Sequence, residues 1–396
     1  MSTSSSPSCR ASHVGSLLRP KALFDQRGLF ETGQCSLNDL REVEDAAIRD
    51  AVGLQLALGI KPITDGEFRR GMFFEGVFDV LEGMQFMPER PISEFKEYIP
   101  HIGMMKSAGV LSDKTIFCSG KIRRTRPLYV EQFKYLASLV EPEDVKNLKI
   151  TVCSPSWFHQ RHGSDMTYDR SVYQDDDAYF DDLGIAYRAE FKELYDLGCR
   201  NVQIDDPTFC FFCSGVVTAK MREMGVNPDV LLDTYIRAIN VCTRDRPADM
   251  NLALHLCRGN FMGAHFCEGD YEPIASRVFK NIDVDTFYLE FDNTRSGGFA
   301  PLRFMPETKN VVLGLITTKH GDLEDVDLLR TRLRDAVNVM VEDGQLKTVE
   351  YAMSRLAISP QCGFASVWQG NPLTEEDQRN KLELVAKTAK EIWESA

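Results

Sequence analysis

Eight short apolar runs, alternating with longer amphipathic stretches, constrain the fold of this chain more than any other feature. The runs are Ser12–Ser16, Pro62–Glu67, Leu148–Ser154, Asn201–Asp206, Asn251–Cys257, Thr286–Phe291, Asn310–Ile316 and Arg355–Cys362. Their shortness and β-branched content mark buried strands, of the kind found in a parallel sheet covered on both faces. Between most of them, apolar residues recur at helical spacing: Leu37–Leu58, Asp177–Leu197, Pro228–Val241, Glu324–Val341 and Glu375–Trp393. The last of these opens with Thr374 as cap and an acidic first turn of Glu375, Glu376 and Asp377, both favourable at a helix N-terminus. This alternation predicts an α/β fold, a (β/α)8 TIM barrel forming a single domain over residues 1–396, with residues 1–11 flexible. A doubly wound open sheet is the other arrangement with this pattern, but no Gly-rich dinucleotide fingerprint follows the first run. Residues 95–122 break the alternation and read as an inserted β-hairpin, from Ile102-Gly-Met-Met-Lys and the stretch Thr115 to Ile122.

Composition narrows the function. With 43% hydrophobic residues, including 24 Phe and 12 Tyr, the chain can bury a large core and is not disordered. It carries 46 Lys+Arg against 59 Asp+Glu, a net charge of −13, which disfavours binding to nucleic acid or an anionic membrane. No run approaches the roughly 18 apolar residues of a spanning helix. Met1–Pro7 lacks the apolar core of a secretory signal. Eleven cysteines without such a signal predict a reducing, cytoplasmic setting, with mostly free thiols and some metal ligands.

In a barrel of this type the chemistry lies at the C-terminal ends of the strands. Those ends carry Ser16; Asp65 and Glu67; Ser154; Asp205 and Asp206; His255 and Cys257; Glu290 and Asp292; Thr317, Thr318 and Lys319; and Cys362. His255 and Cys257 are two residues apart on one strand and point to the same face, so imidazole and thiolate can meet one ion. With Glu290 and Cys362 they form a set that fits zinc, whereas two thiolates disfavour magnesium and calcium. The plainer alternative is two buried cysteines packing as small hydrophobes beside a solvated acid.

Gly15-Ser16, Asp65-Gly66-Glu67-Phe68, Gln203-Ile204-Asp205-Asp206-Pro207, His255-Leu256-Cys257, Leu289-Glu290 and Ser359-Pro360-Gln361-Cys362-Gly363 follow one another in this order. From His13 to the last helix the chain resembles the C-terminal catalytic domain of cobalamin-independent methionine synthase. The likeness is strongest to single-domain members of that superfamily, which also includes enzymes acting on coenzyme M. The resemblance implies Zn2+ held by His255, Cys257, Glu290 and Cys362, and a small-molecule thiol bound there as thiolate. It implies methyl transfer from an alkyl donor to homocysteine or another amino-acid thiol. A free thiol with a pKa near 8.5 is little ionised at neutral pH, and metal coordination removes its proton. Loosening of Glu290 as the sulfur enters would open the position a catalytic zinc needs.

Ser16, Glu67 and Asp205 match the positions that hold homocysteine in that family. Two carboxylates and a hydroxyl without a cation suit an ammonium group, whereas a sulfonated thiol would need clustered Arg or Lys. The Asp205-Asp206-Pro207 turn and a surface-charge role for Glu67 beside Arg69 and Arg70 are the plainer readings of the same residues. The family's Asp-x-His after the seventh strand is here Thr317-Thr318-Lys319, followed by His320. Lys319 and His320 are therefore the candidate catalytic groups. A one-residue shift can turn a side chain to the other face, which leaves the proton donor and a folate methyl donor open. His13 is a further ionisable group at a mouth position.

Cys210-Phe-Phe-Cys213 has no second cysteine pair and no redox-type surroundings, so it reads as loop and packing. His159 and His162 have metal-like spacing but no further ligands, and read as hydrogen-bonded histidines near the donor pocket. Arg295-Ser-Gly-Gly298 reads as a loop facing an anionic substrate. Other functions compatible with the same zinc set are a C–S lyase, an epoxide-opening thiol transferase, or a barrel in which the zinc is structural. A porphyrinogen-type decarboxylase shares the architecture but needs no zinc.

Overall fold

The computed structural model describes residues 9–394. The expectations placed on Met1–Pro7, and most of the segment 1–11 expected to be flexible, lie outside the described residues; at its end Ala11 is buried and paired with Ile358, so the flexibility expected of 1–11 does not extend to it.

The architecture is α/β. Two antiparallel strands, β1 (Glu82–Pro91) and β2 (Ser112–Arg123), form a separate ribbon. Six parallel strands follow: β3 (Lys149–Cys153), β4 (Asn201–Asp206), β5 (Asn251–Leu256), β6 (Thr286–Glu290), β7 (Asn310–Ile316) and β8 (Leu356–Pro360). They pair in sequence order, each with the next, as helical crossovers between neighbouring strands require. All six coincide with predicted apolar runs, and nearly every residue in them is buried.

The first two runs behave differently. Ala11 bridges to Ile358 of β8 and Ile63 bridges to Leu148 at the start of β3, each as a single parallel pair. Backbone hydrogen bonds still run from β8 through both segments to β3: Ser12 N to Ile358 O (2.9 Å), Lys61 N to Ala11 O (3.2 Å), Leu17 N to Gly66 O (3.1 Å) and Lys149 N to Ile63 O (2.8 Å). Regular strands do not form here for local reasons. Pro62 has no N–H to donate, and Gly66 and Glu67 sit at φ 68° and 61°, outside the extended region.

The helices follow the predicted periodicity. Leu37–Leu58 starts with a capping box between Ser36 and Asp39 and ends at Gly59 with φ 67°. Glu375–Trp393 has the predicted Thr374 cap, reciprocated by Asp377. The other long helices are Asp176–Asp196, Pro228–Thr243 and Val326–Glu342. One apolar cluster joins these helices to the sheet. A second, made of Ala253, Tyr288, Val312 and Ala357 from β5 to β8, lies on the same sheet face as His255 and Glu290, which follow two residues later on their strands.

The inserted hairpin is present, but its first arm lies earlier than the expected 95–122 span. Glu82–Pro91 pairs with Ser112–Arg123, while Ile102-Gly-Met-Met-Lys belongs to a helix, Pro100–Ser107. Pro100 at the first helical position favours that outcome.

Candidate metal and thiol site

β5 ends in His255 and Leu256, and Cys257 follows directly. Cys362 follows β8 by two residues. The ligand atoms of His255, Cys257 and Cys362 all lie within 4.8 Å of one another, and all three residues are buried. Neither ring nitrogen of His255 has a hydrogen-bond partner among the described residues. A buried imidazole with both nitrogens unsatisfied, facing two thiols, is costly unless something binds there. The donor set and its spacing fit a tetrahedral zinc, whose bonds are about 2.0–2.3 Å long. The Cys257 thiol and then the His255 imidazole hold the Cys362 thiol well below its ordinary range, against burial.

Glu290, the fourth expected ligand, is fully buried at the end of β6 but lies outside that cluster. Its carboxylate accepts from the Arg258 amide (2.8 Å) and is paired with Arg295. Arg295 also bonds Asp292, so the expected anion-facing loop points its guanidinium inward at the acids instead. Asn260 donates to Gly363 O (2.9 Å) and Ser366 Oγ (3.1 Å), tying the loop after β5 to the Cys362 loop.

Beside the metal cluster, one cavity of about 740 Å3 is lined by Ser16, Glu67 and Asp205 together with His255, Cys257 and Cys362. The structure thus brings the three expected substrate residues to the same space as His255, Cys257 and Cys362. Glu67 is buried, not a surface charge, with its Oε1 accepting from Thr151 Oγ1 (2.8 Å). Asp205 Oδ1 accepts from Gln203 Nε2 (2.7 Å). Burial raises both carboxyls, Asp205 to about 7; His255 pulls Asp205 down, and Glu67 pushes it up across the shared pocket. Ser16 Oγ accepts from the Ala365 amide (3.3 Å). Asp206 instead pins the turn after β4, accepting from Ser156 Oγ (2.9 Å), Thr208 N (2.7 Å) and Thr208 Oγ1 (2.6 Å).

The candidate catalytic pair is not assembled. His320 is exposed and faces Asp322 at 3.5 Å, and Lys319 donates to Gly263 O (3.2 Å). Neither lines the cavity. Thr317 Oγ1 accepts from Lys319 N (3.2 Å), and the Lys319 charge is felt at Cys362 and at Glu290. His13 is buried, and burial followed by Lys149 pushes its imidazole down to about 3.

His159, His162, Cys210 and Cys213 make hydrogen bonds within the fold and do not line the cavity. His159 bonds Tyr235 OH (3.0 Å) and Asp176 (2.9 Å), and His162 bonds Thr115 Oγ1 (2.8 Å) and Glu94 O (2.9 Å). Cys210 donates to Pro207 O (2.9 Å) and Cys213 to Phe209 O (3.7 Å) within a buried turn.

Sequence reasoning missed the far wall of the cavity. Phe73 and Phe74 meet Trp157 at 5.0 and 5.4 Å between ring centroids, and Phe158 meets Phe74 at 5.8 Å. His101, Arg161 and His265 also line it. The adjacent aromatic pairs following Glu67 and Ser154 were the available signal.

The family described as the catalytic domain of cobalamin-independent synthase matches residues 10–390. Two uncharacterized Bacillus subtilis proteins, YxjH and YxjG, are 32% and 33% identical over 97% and 98% of this chain, covering 94% and 95% of their own lengths. A methionine synthase of Sulfolobus acidocaldarius is 24% identical over 89% of this chain and 84% of its own. A Listeria monocytogenes structure, described as a candidate vitamin-B12-independent methionine synthase, superposes with a TM-score of 0.72 at 30% identity, covering 98% of this chain and 99% of that one. No helix among the described residues is long and apolar enough to cross a membrane.

Proposed function

Because the chain belongs to the cobalamin-independent synthase catalytic-domain family, we propose that it transfers a methyl group to the sulfur of homocysteine or a closely related amino-acid thiol. The observation that carries this reading is the shared cavity: two buried carboxylates and a hydroxyl open onto the same space as a His/Cys/Cys metal cluster.

His255, Cys257 and Cys362 would hold zinc, with Glu290 as a fourth ligand once it parts from Arg295. Zinc, when bound, favours the thiolate form of a thiol at neutral pH. The remaining work belongs to the chain. Glu67 and Asp205 share a buried pocket and repel each other unless a cation sits between them. A substrate ammonium is such a cation, and Ser16 adds a hydroxyl beside it. Gly363 leaves room for that hydroxyl, and Asn260 fixes the loop that carries both Gly363 and Cys362. The aromatic wall of Phe73, Phe74 and Trp157 offers flat apolar faces to the methyl donor and keeps water from the reacting carbon. As the sulfur–methyl bond forms, the methyl–donor bond breaks and the donor leaves with that electron pair. The match over residues 10–390 supports a single catalytic domain, and eleven free cysteines suit a reducing, cytoplasmic setting.

The test uses zinc-loaded protein. X-ray absorption at the zinc edge gains a sulfur scatterer when homocysteine is added. Glu67→Gln weakens homocysteine binding by about ten- to a hundredfold, as expected for one charge-assisted hydrogen bond, while zinc content is unchanged. Equal binding of homocysteine and its des-amino analogue by the wild-type protein would show that the carboxylates serve another purpose.

A further inference from the structure

The two carboxylates of the thiol pocket are each backed by a buried cation that does not touch them. Among the described residues, no ion pair within 4.0 Å involves Glu67 or Asp205. Arg70 instead donates to Thr151 Oγ1 (3.1 Å) and Thr151 O (2.7 Å), with its guanidinium 4.3 Å from the Tyr129 ring centroid. Thr151 Oγ1 then donates to Glu67 Oε1 (2.8 Å). On the other side, Lys149 Nζ donates to Gln203 Oε1 (2.7 Å) and His13 O (2.6 Å), and lies 4.6 Å from the Tyr288 ring centroid. Gln203 Nε2 donates to Asp205 Oδ1 (2.7 Å) and Val14 O (2.7 Å).

The direction of each relay follows from donor chemistry. A guanidinium has no acceptor atom, so the Thr151 oxygen must accept from Arg70 and its single proton is left for Glu67. An ammonium likewise takes the carbonyl end of Gln203, while Val14 O takes an N–H, so both ends of the amide are fixed with its nitrogen toward Asp205. Lys149 and Thr151 are alternate residues of β3, and Gln203 and Asp205 alternate residues of β4, so all four share the inner face. Among the described residues, nothing donates to the second oxygens, Glu67 Oε2 and Asp205 Oδ2.

We propose that Arg70 and Lys149 are positioning residues that act through Thr151 and Gln203 to hold Glu67 and Asp205 as oriented hydrogen-bond acceptors, each with one oxygen left for the ammonium group of the incoming thiol. The inference rests on the amino-acid-thiol reading above. A cation placed directly against either carboxylate would occupy the same oxygens and compete with the substrate amine. One neutral group in between lets the cation compensate the carboxylate charge without blocking it. The arrangement makes amine selectivity a property of the second layer of residues as well as of the two acids.

The experiment compares homocysteine with its des-amino analogue by calorimetry on zinc-loaded wild type, Thr151→Val, Thr151→Ser and Lys149→Met, with zinc content and melting temperature as controls. Thr151→Val keeps the shape of the side chain and removes the proton that reaches Glu67. It lowers the preference for homocysteine about tenfold and leaves the affinity for the analogue within about twofold. Thr151→Ser restores the preference. Lys149→Met lowers it by a similar factor; should that variant not fold, the Thr151 pair decides. If wild type prefers homocysteine and folded Thr151→Val keeps that preference within about twofold, the relay is overturned and the amino-acid-thiol reading stands. If wild type shows no preference, that reading fails and the relay with it.

Discussion

A Cβ on Gly363 would stand 2.0 Å from Ser16 Oγ. The residue after Cys362 has no room for a side chain because the Ser16 hydroxyl occupies the space beside it. Gly363→Ala forces Ser16 to rotate or the loop to shift. We expect homocysteine affinity to fall about fivefold, the worth of one ordinary hydrogen bond, with zinc retained and a stability cost of about 1–3 kcal/mol from overpacking. Calorimetric titration and thermal melting check this. Unchanged thiol affinity would mean that Ser16 takes no part in binding.

The metal cluster predicts a sharp split among the cysteines. Cys257→Ala and Cys362→Ala should each lose most of the zinc, and His255→Ala much of it. Cys210→Ser and Cys213→Ser should keep it, since their thiols bond backbone carbonyls in a separate buried turn. Metal analysis of the purified variants is sufficient. Full zinc in a Cys257/Cys362 double alanine variant would refute the site.

His320→Ala should leave thiol binding and turnover within about twofold of wild type, because surface residues away from a site change little. The imidazole is exposed beside Asp322 and does not line the cavity. Steady-state kinetics with the methyl donor, once one is found, decides the turnover arm; calorimetry decides binding at once. A tenfold loss in either would return His320 to the catalytic machinery.

The buried His162 gives the fold an acid limit. Burial pushes its imidazole down to about 3; the Glu94 carbonyl opposes this, and Arg90 and Arg161 add to it. In the unfolded chain the value is about 6.5. The folded value is the lower one, so the unfolded chain takes up the proton first as pH falls. The stabilising contribution is complete above about pH 6.5 and is lost toward pH 3, at roughly 1.4 kcal/mol per pH unit. Urea unfolding of metal-free protein between pH 7 and pH 5 should show a shallower pH dependence for His162→Gln than for wild type. Parallel slopes would mean that His162 does not titrate as described.

Much of this site was legible because strand geometry is simple. His255 and Cys257 two residues apart, and Cys362 at the end of another apolar run, had to face one region once the strands were parallel. Asp205 was legible for the same reason, whereas Glu67 reaches the cavity from a turn at φ 61° that strand alternation does not describe. Glu290 was placed correctly on its strand, but its side-chain direction was not readable, since Arg295 competes for it from five residues downstream. The position of His320 was not readable: it lies in the loop after β7, beyond the reach of strand alternation, and there it is exposed beside Asp322. The hairpin's first arm was displaced because an apolar stretch opening with Pro100 forms a helix. Thr151 carried no signal, and Gln203 stood out only as part of its motif: inside a strand, a polar residue with a partner across the sheet looks like any other buried hydrogen bond.

Ser12 meets Ile358 across nearly the whole length of the chain, and that contact lies beside the segments carrying Ser16 and Cys362. The site therefore straddles the seam where the fold closes on itself. During synthesis His255 and Cys257 emerge long before Cys362, and Ser16 must wait for β8 before its neighbour Gly363 exists. A growing or truncated chain thus brings together neither His255, Cys257 and Cys362 nor Ser16 and Gly363. The convergence of these side chains therefore arrives only with the pairing of the Ser12 segment and β8.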